Sequence, residues 1–265
     1  MTPIALTIAG SDSGGGAGIQ ADLKTFSALG VYGASVVTAL TAQNTKGVSA
    51  IHDVPAQFVA AQMDAVFSDL DVGAVKIGMV SQRGVIEAIA AGLERWRHDK
   101  IVLDPVMIAA SGDKLLAADA IETLKRALIP RALVVTPNLP EAAALLDAPI
   151  ARNESEMREQ GARLLALGPR AVLVKGGHGS GAESVDLLIE PSAFVRLAAD
   201  RIATENTHGT GCTLSSAIAA GLAKGLGLTE AVGAAKTYVT EALAGANRIK
   251  IGSGHGPTHH FHAWW

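Results

Sequence analysis

A chain of 265 residues with 49% hydrophobic but only 4% aromatic side chains must build its core from Ala, Val, Leu and Ile, as in a parallel sheet covered by Ala-rich helices. Its net charge of −3 at pH 7, without any run of Lys or Arg, argues against a nucleic-acid partner. The lone cysteine, the lack of a secretion signal and the lack of an apolar stretch near the roughly 20 residues of a membrane helix predict a cytoplasmic protein with no membrane partner.

Short apolar runs alternate with helical patterns along the whole chain. The runs, each ended by Gly, Pro, Asn or Asp, predict strands at 4–9, 36–41, 74–79, 101–106, 132–138 and 171–177. Apolar residues at three- and four-residue spacing predict helices at 57–68, 82–96 and 154–167. This alternation is typical of βαβ units, so we expect one α/β domain over residues 1–265, with a mostly parallel sheet between two helical layers. Residues 183–196 are interpreted as a short antiparallel hairpin at the sheet edge.

Polar residues and a methionine stand where the predicted strands end. In chain order these residues are Asp12, Gln43, Met79, Asp104, Asn138 and Lys175. Ligands of open α/β sheets bind at the carboxyl ends of the strands, so these positions indicate a binding site there.

A glycine-rich segment, 10–18, follows the first strand. Its spacing lacks both the dinucleotide fingerprint, with its acidic partner, and the G-x-x-x-x-G-K-[ST] phosphate loop. The segment more plausibly lets a flat small molecule approach the backbone, with Asp22 one helical turn further on. A flexible loop beside an ordinary surface Asp22 is the alternative.

Asn138 and Glu141 stand three residues apart at the start of a predicted helix. This pair suits a hydrated Mg²⁺, but it suits a helix N-cap with its capping-box Glu equally well, and the sequence leaves both open. Asp104 adds a second carboxylate and Lys175 adds a cation. Together with backbone donors, these are the groups that phosphoryl transfer requires.

The turn Gly209-Thr210-Gly211-Cys212 leads directly into a helix of small residues. The unpaired amides of that helix start predict a seat for a phosphate. Cys212 is interpreted as a base, a nucleophile or a small packed residue, because a helix N-terminus lowers the pKa of a thiol. A nucleophilic role requires a histidine partner such as His208. Four histidines between 255 and 262 form either a metal site or, more plausibly, a packed or surface tail.

These motifs together resemble the bacterial hydroxymethylpyrimidine and phosphomethylpyrimidine kinases of thiamine biosynthesis, within the ribokinase-like superfamily. The motifs are AGSD at 9–12, GGAGIQADLKT at 15–25, TALTAQNT at 38–45, KIGM at 76–79, LDPVM at 103–107, TPNLPEA at 136–142, VKGGH at 174–178 and NTHGTGCT at 206–213. The resemblance runs from the first strand to the final HFHAWW. It implies the three-layer ribokinase-like fold and two successive transfers from ATP, first to 4-amino-5-hydroxymethyl-2-methylpyrimidine and then to its monophosphate.

The resemblance also implies a role for each matching position. The implied pyrimidine-binding residues are Gln43, Asp22, Gly10, Met79 and Val106. The implied groups for Mg²⁺ and the nucleotide are Asp104, Asn138, Glu141, Lys175 and Thr207. The implied anion hole is Gly209, Thr210, Gly211 and Cys212, with Cys212 at the position where many sugar kinases of the superfamily have an aspartate base. The family further implies a homodimer.

Three other functions stay open at this point. Pyridoxal kinase belongs to the same superfamily, a cysteine-dependent hydrolase or acyltransferase would use Cys212 with His208, and a metabolite-binding module would carry out no reaction. Gln43 favours the pyrimidine, because its carboxamide both donates and accepts hydrogen bonds, as an aminopyrimidine edge requires.

Overall fold

The computed structural model describes residues 1–107, 118–177 and 181–265, so His178 of the VKGGH motif lies outside the described residues. The elements are β1 (Ile4–Asp12), α1 (Gly18–Ala28), β2 (Tyr32–Asn44), β3 (Gly47–Asp53), α2 (Ala56–Phe67), β4 (Ala74–Ile77), α3 (Arg83–Arg95), β5 (Ile101–Leu103), α4 (Ala118–Ala127), β6 (Val134–Val135), α5 (Leu139–Leu146), α6 (Glu154–Leu165), β7 (Val172–Lys175), β8 (Glu183–Glu190), β9 (Ala193–Asp200), α7 (Thr210–Ala223) and α8 (Leu228–Ala244). The three predicted helices are confirmed as α2, α3 and α6, with ends within two residues of the prediction.

The strands form one sheet in the order β3-β2-β1-β4-β5-β6-β7-β8-β9. Its central neighbours pair in parallel from β2 to β7, whereas β3 and the β8–β9 hairpin pair antiparallel at the two edges. The predicted α/β class and the predicted edge hairpin are confirmed, and the hairpin continues to Asp200. The strand β3 was not predicted, because its mostly exposed residues lack the apolar run that marks the inner strands.

Helices cover both faces of the sheet and separate its core into two clusters. Successive side chains of a strand point to opposite faces. In β4, for example, Val75 and Ile77 pack into the cluster that includes residues of α2–α6, whereas Ala74 packs into the cluster with α1, α7 and α8. The fold is therefore a three-layer α/β/α arrangement. No helix in the described ranges is long and apolar enough to span a bilayer.

The parallel pairing of β1, β4, β5, β6 and β7 brings their carboxyl ends to one edge of the sheet. The N-terminus of α7 lies at the same edge, because α7 contacts β1, β4 and β5. The loops that follow five strands and the first turn of one helix therefore converge on one place.

Candidate active site

A cavity of about 640 Å³ lies at this edge of the sheet. The sequence-predicted residues in its wall are Gly10, Gln43, Met79, Asp104, Val106, Asn138, Glu141, Lys175, Thr207, Gly209, Thr210, Gly211 and Cys212. Residues more than 200 positions apart in the chain thus share one site. Asp22 is the only predicted site residue that does not line the cavity.

One end of the cavity combines an amide with apolar side chains. The carboxamide oxygen of Gln43 lies 3.0 Å from the hydroxyl oxygen of Thr41, from which it accepts a hydrogen bond. The hydroxyl of Thr38 donates to the carbonyl oxygen of Met79 at 2.8 Å and so fixes that loop. The amide NH₂ of Gln43 is left to donate to a ligand, beside the apolar surface of Met79 and Val106.

A cation and two carboxylates also line the cavity. Nζ of Lys175 lies 2.8 Å from Oδ1 of Asp104, which also accepts from the hydroxyl of Thr136 at 3.0 Å. Burial opposes ionisation of Asp104, but Lys175 and Lys76 hold its pKa below the ordinary value. Burial also raises the pKa of Glu141, to about 7, although Lys175 works in the other direction.

Asn138 and Glu141 do form the capping box of α5. The amide of Glu141 donates to Oδ1 of Asn138 at 2.9 Å, and the amide of Asn138 donates to Oε2 of Glu141 at 2.8 Å. Both residues also line the cavity, so capping and ligand binding are compatible here. The two interpretations of this motif are therefore not exclusive.

The turn before α7 places backbone amides against the ion pair. Gly209 is the N-cap, with a φ of 79° in the left-handed region, and a Cβ there would overlap the carbonyl oxygen of Gly16. A Cβ on Gly211 would lie 3.3 Å from Nζ of Lys175 and 3.7 Å from Oδ2 of Asp104. The first turn of a helix leaves N–H groups unpaired, so this turn and Lys175 together make a pocket for an anion.

Cys212 differs from the expectation for a helix N-terminus. Burial raises the pKa of its thiol to about 11, and Lys76 offsets only part of this effect. The expected lowering by the helix is thus outweighed by desolvation of the thiolate. His208 is not placed as a partner of Cys212, since its Nε2 lies 2.8 Å from Oδ2 of Asp12.

Asp22, one of the implied pyrimidine-binding residues, does not line the cavity, and its carboxylate is fully buried. It accepts hydrogen bonds from Lys76 at 2.8 and 2.9 Å, from Thr7 at 2.6 Å and from Ser216 at 2.6 Å. These hydrogen bonds occupy both oxygens of Asp22. It supports the wall from below.

The sequence did not assign a role to several charged residues of the cavity wall, among them Asp12 and Lys76. The carboxylate of Asp12 accepts from the amides of Gly14, Gly16 and Ala17 and thereby shapes the glycine-rich loop. Lys76 lines the cavity with its ammonium buried. The sequence did contain a signal for Lys76, which is the lysine of the otherwise apolar run AVKI. A lysine in a buried strand requires a partner of opposite charge, so its presence there indicates a charged site.

The histidine-rich end of the chain packs against the helices of one layer. His259 and His260 are buried, and Nε2 of His260 lies 3.1 Å from the hydroxyl oxygen of Thr213 in α7. The hydroxyl of Tyr238 donates to the carbonyl oxygen of His260 at 2.6 Å. These contacts support the interpretation of 255–262 as a packed tail.

Known proteins resemble the chain over its whole length. A family model described as phosphomethylpyrimidine kinase matches residues 12–259. The hydroxymethylpyrimidine/phosphomethylpyrimidine kinase of Rhizobium meliloti (strain 1021) is 64% identical over 265 residues, which are 100% of this chain and 99% of that protein. The crystal structure of a phosphomethylpyrimidine kinase from Clostridium difficile 630 has a TM-score of 0.80 at 49% identity and covers 91% of this chain and 99% of its own.

A pyridoxal kinase from Staphylococcus aureus, solved in complex with AMP-PCP and pyridoxal, has a TM-score of 0.91 at 32% identity. The alignment covers 100% of this chain and 95% of that one. Its agreement identifies the three-layer architecture as the ribokinase-like fold. From the extent of the family match and the identity of its relatives, the protein belongs to the phosphomethylpyrimidine kinase family.

Proposed function

We propose that the protein transfers phosphoryl groups from ATP to 4-amino-5-hydroxymethyl-2-methylpyrimidine and then to the resulting monophosphate, giving the diphosphate for thiamine biosynthesis. The observation that carries this proposal is the combination, in one cavity, of a carboxamide with apolar walls and an ion pair facing a helix start. The carboxamide with its apolar walls suits a small polar ring. The ion pair and the helix start suit a phosphate. The family membership of the chain supports the same reaction.

The pyrimidine would lie between Gln43 and the side chains of Met79 and Val106, near the backbone of Gly10. The free NH₂ of Gln43 donates to a ring nitrogen, and its oxygen accepts from the exocyclic amine. The nucleotide phosphates would reach Lys175 and the amides of Gly211 and Cys212, with Thr207 nearby. A phosphate there meets both the ammonium and the positive end of α7.

Asp104 and Glu141 fit Mg²⁺ as a pair. Among the described residues, no three His, Cys, Asp or Glu side chains are grouped so as to hold a metal without other ligands. Mg²⁺ commonly uses one or two carboxylates, retains several waters and completes its shell with substrate phosphates. When bound, it supplies charge neutralisation to the phosphates. Asn138 would help to orient a water bound to the metal.

The chain's own groups divide the transfer between them. The thiolate form of Cys212 takes the proton of the acceptor hydroxyl, whose oxygen forms a bond to the γ-phosphorus while the bond to the β-phosphate oxygen breaks and ADP leaves. Lys175 and the amides of Gly211 and Cys212 hold the charge of the transferring group. In the second transfer the acceptor is a phosphate oxygen. It is largely ionised at neutral pH, because the second pKa of such a phosphate is about 6, and so it needs no base.

A side-by-side assay of pyrimidine alcohol and pyridoxal, with ADP release as the readout, tests the proposal. We expect turnover with the pyrimidine, followed by diphosphate formation. Faster turnover with pyridoxal would instead indicate that this protein is a pyridoxal kinase, like the neighbour from Staphylococcus aureus. Ester hydrolysis that iodoacetamide abolishes and that needs no ATP would favour a cysteine hydrolase, and binding of Mg·ATP without product would favour a metabolite sensor.

Replacing Gln43 with glutamate is expected to weaken pyrimidine binding far more than ATP binding. The substitution removes the NH₂ donor and adds a charge at a half-buried position, at a cost of about 1–3 kcal/mol, or roughly 5- to 150-fold in Kd. Calorimetric titration of both ligands checks this. Gln57→Glu, which adds the same charge at an exposed site on α2, is the control. Unchanged pyrimidine affinity in Gln43→Glu would remove this residue from the site.

Replacing Glu141 with glutamine is expected to raise the Mg²⁺ concentration needed for half-maximal rate, with little loss of stability. Glutamine can still accept from the amide of Asn138 and keep the capping box, but it lacks the charge that a metal ligand supplies. The matched control is Glu156→Gln, at the exposed N-terminus of α6. If Glu141→Gln shows a normal Mg²⁺ requirement, Glu141 serves only as a cap.

We also propose that the chain forms a homodimer through the edge that carries β2 and β3. Leu40 and Ile51 on these strands, with Phe58 on α2, are exposed by 50%, 43% and 59%. Apolar side chains so exposed favour burial by a second chain. Light scattering after size exclusion checks the mass, and a monomer at micromolar concentration would contradict the proposal.

A further inference from the structure

Lys76 is a fully buried cation in the middle of β4. Burial acts to lower its pKa, but Asp22, Cys212 and Asp104 together raise that pKa above its ordinary value. Lys76 therefore remains charged at every physiological pH. A buried charge costs several kcal/mol unless it is paired, so it calls for a functional or structural reason.

Asp22 fixes the position of that charge. Both of its oxygens lie within 2.9 Å of Nζ of Lys76, and Oδ1 also accepts from the hydroxyl of Ser216 at 2.6 Å. Ser216 lies on α7, one helical turn after Cys212, and residues four apart share a helix face. The Lys76–Asp22 pair is therefore held under the first turn of α7, on the face that carries the thiol.

Four charged groups from the neighbouring elements influence Cys212. The cations are Lys76 on β4 and Lys175 at the end of β7, and the carboxylates are Asp22 on α1 and Asp104 after β5. Apart from burial, which raises the pKa of the thiol, Lys76 is the strongest influence, and it lowers that pKa. Lys76 and Cys212 both line the cavity, and Asp22 links the ammonium of Lys76 to Ser216, one helical turn after Cys212.

We propose that Lys76 is a positioning residue for the first phosphoryl transfer, in which its ammonium, held by Asp22, stabilises the Cys212 thiolate that accepts the substrate proton. The inference rests on the proposed function and adds an electrostatic partner to its base. Lys76 neither gives nor takes a proton. When Cys212 deprotonates, the new negative charge forms beside a cation already in place, and the later arrival of the substrate proton on sulfur restores the thiol.

The lone cysteine allows a direct test on the unliganded protein. The rate of alkylation of Cys212 by iodoacetamide follows the thiolate population, so Lys76→Met should lower it at a fixed mildly alkaline pH by at least about threefold. The double variant Lys76→Met/Asp22→Asn avoids an unpaired buried carboxylate and should also react more slowly. The control is Lys236→Met, which removes another cavity lysine, one paired with Asp186 at 2.8 Å. It should leave the alkylation rate unchanged.

Turnover supplies the second measurement. Lys76→Met should slow the alcohol transfer and shift its pH profile to higher pH, while the transfer to the ionised phosphate changes little. A purely structural pair would slow both transfers alike and leave alkylation unchanged in every folded variant, and either result overturns the inference. If alkylation is slower but both transfers are unaffected, Lys76 does stabilise the thiolate. Cys212 is then not the base, and Lys76 has no part in the transfer. The two proposals therefore fail in different ways.

Discussion

Replacing Cys212 with alanine is expected to slow the first phosphoryl transfer by roughly 10²–10⁴-fold, the usual effect of removing a positioned base. The backbone amides of the α7 turn remain, so the affinities for ATP and pyrimidine should change little. The second transfer should fall much less, because a phosphate acceptor is already ionised. Single-turnover measurement of each step at saturating Mg·ATP separates the two.

Cys212→Asp distinguishes a base from a small packed residue. A carboxylate at the same position can take the same proton, so this variant should recover part of the activity lost in Cys212→Ala. If Cys212 only fills space, alanine should be nearly as active as cysteine. Aspartate should then be worse, because it adds bulk and charge beside the phosphate. If Cys212→Ala slows both transfers equally, the role of Cys212 as a base is also contradicted.

Replacing Gly209 with alanine is expected to lower kcat by roughly 10²–10³-fold, as the loss of an oxyanion donor does. The added Cβ would overlap the carbonyl oxygen of Gly16, and the φ of 79° is unfavourable for alanine. The turn must therefore shift away from Gly16, which changes its position relative to Lys175. Steady-state kinetics, with thermal unfolding as a check on folding, measures the effect.

The matched control is Gly225→Ala at the end of α7. Gly225 also has a positive φ, of 91°, but a Cβ there meets nothing within 4 Å. This variant should lose about 1 kcal/mol of stability and keep its kcat. Both substitutions place an alanine at a positive φ and lose similar stability. A fall in kcat in Gly209→Ala alone would therefore come from the displaced anion hole. Normal kcat in a folded Gly209→Ala would contradict this role for the turn.

The sequence predicted the central sheet well because parallel strands are buried on both faces and read as short apolar runs. Strand lengths were predicted less well. Only Val134 and Val135 of the run 132–138 belong to a strand, and beyond them Asn138 forms one isolated bridge to Lys175 just before α5 begins. The edge strand β3 had no signal, because pairing at an edge depends on the neighbouring strand more than on side-chain pattern.

In the site, positions at strand ends were predictable, whereas side-chain environment was not. The parallel topology alone brings Asp104 and Lys175 to one edge. The burial of Asp22 depends on Lys76 and on Ser216, which lies 194 positions away, so no local pattern could place it. The pKa of Cys212 likewise depends on how deeply its turn is packed, which a motif does not encode.

The hydrogen bond between Asp12 and His208 has a consequence for how the protein is made. The two residues are 196 positions apart, and the link joins the loop after the first strand to the turn before α7. Contacts of such long range carry a large entropic cost of chain closure and form late in folding. On the ribosome, the strands through β7 are made before the phosphate turn, but α7 and α8, which cover one face of the sheet, are made after it. The growing polypeptide therefore completes its three-layer architecture and its phosphate turn together, when the last part of the chain is made.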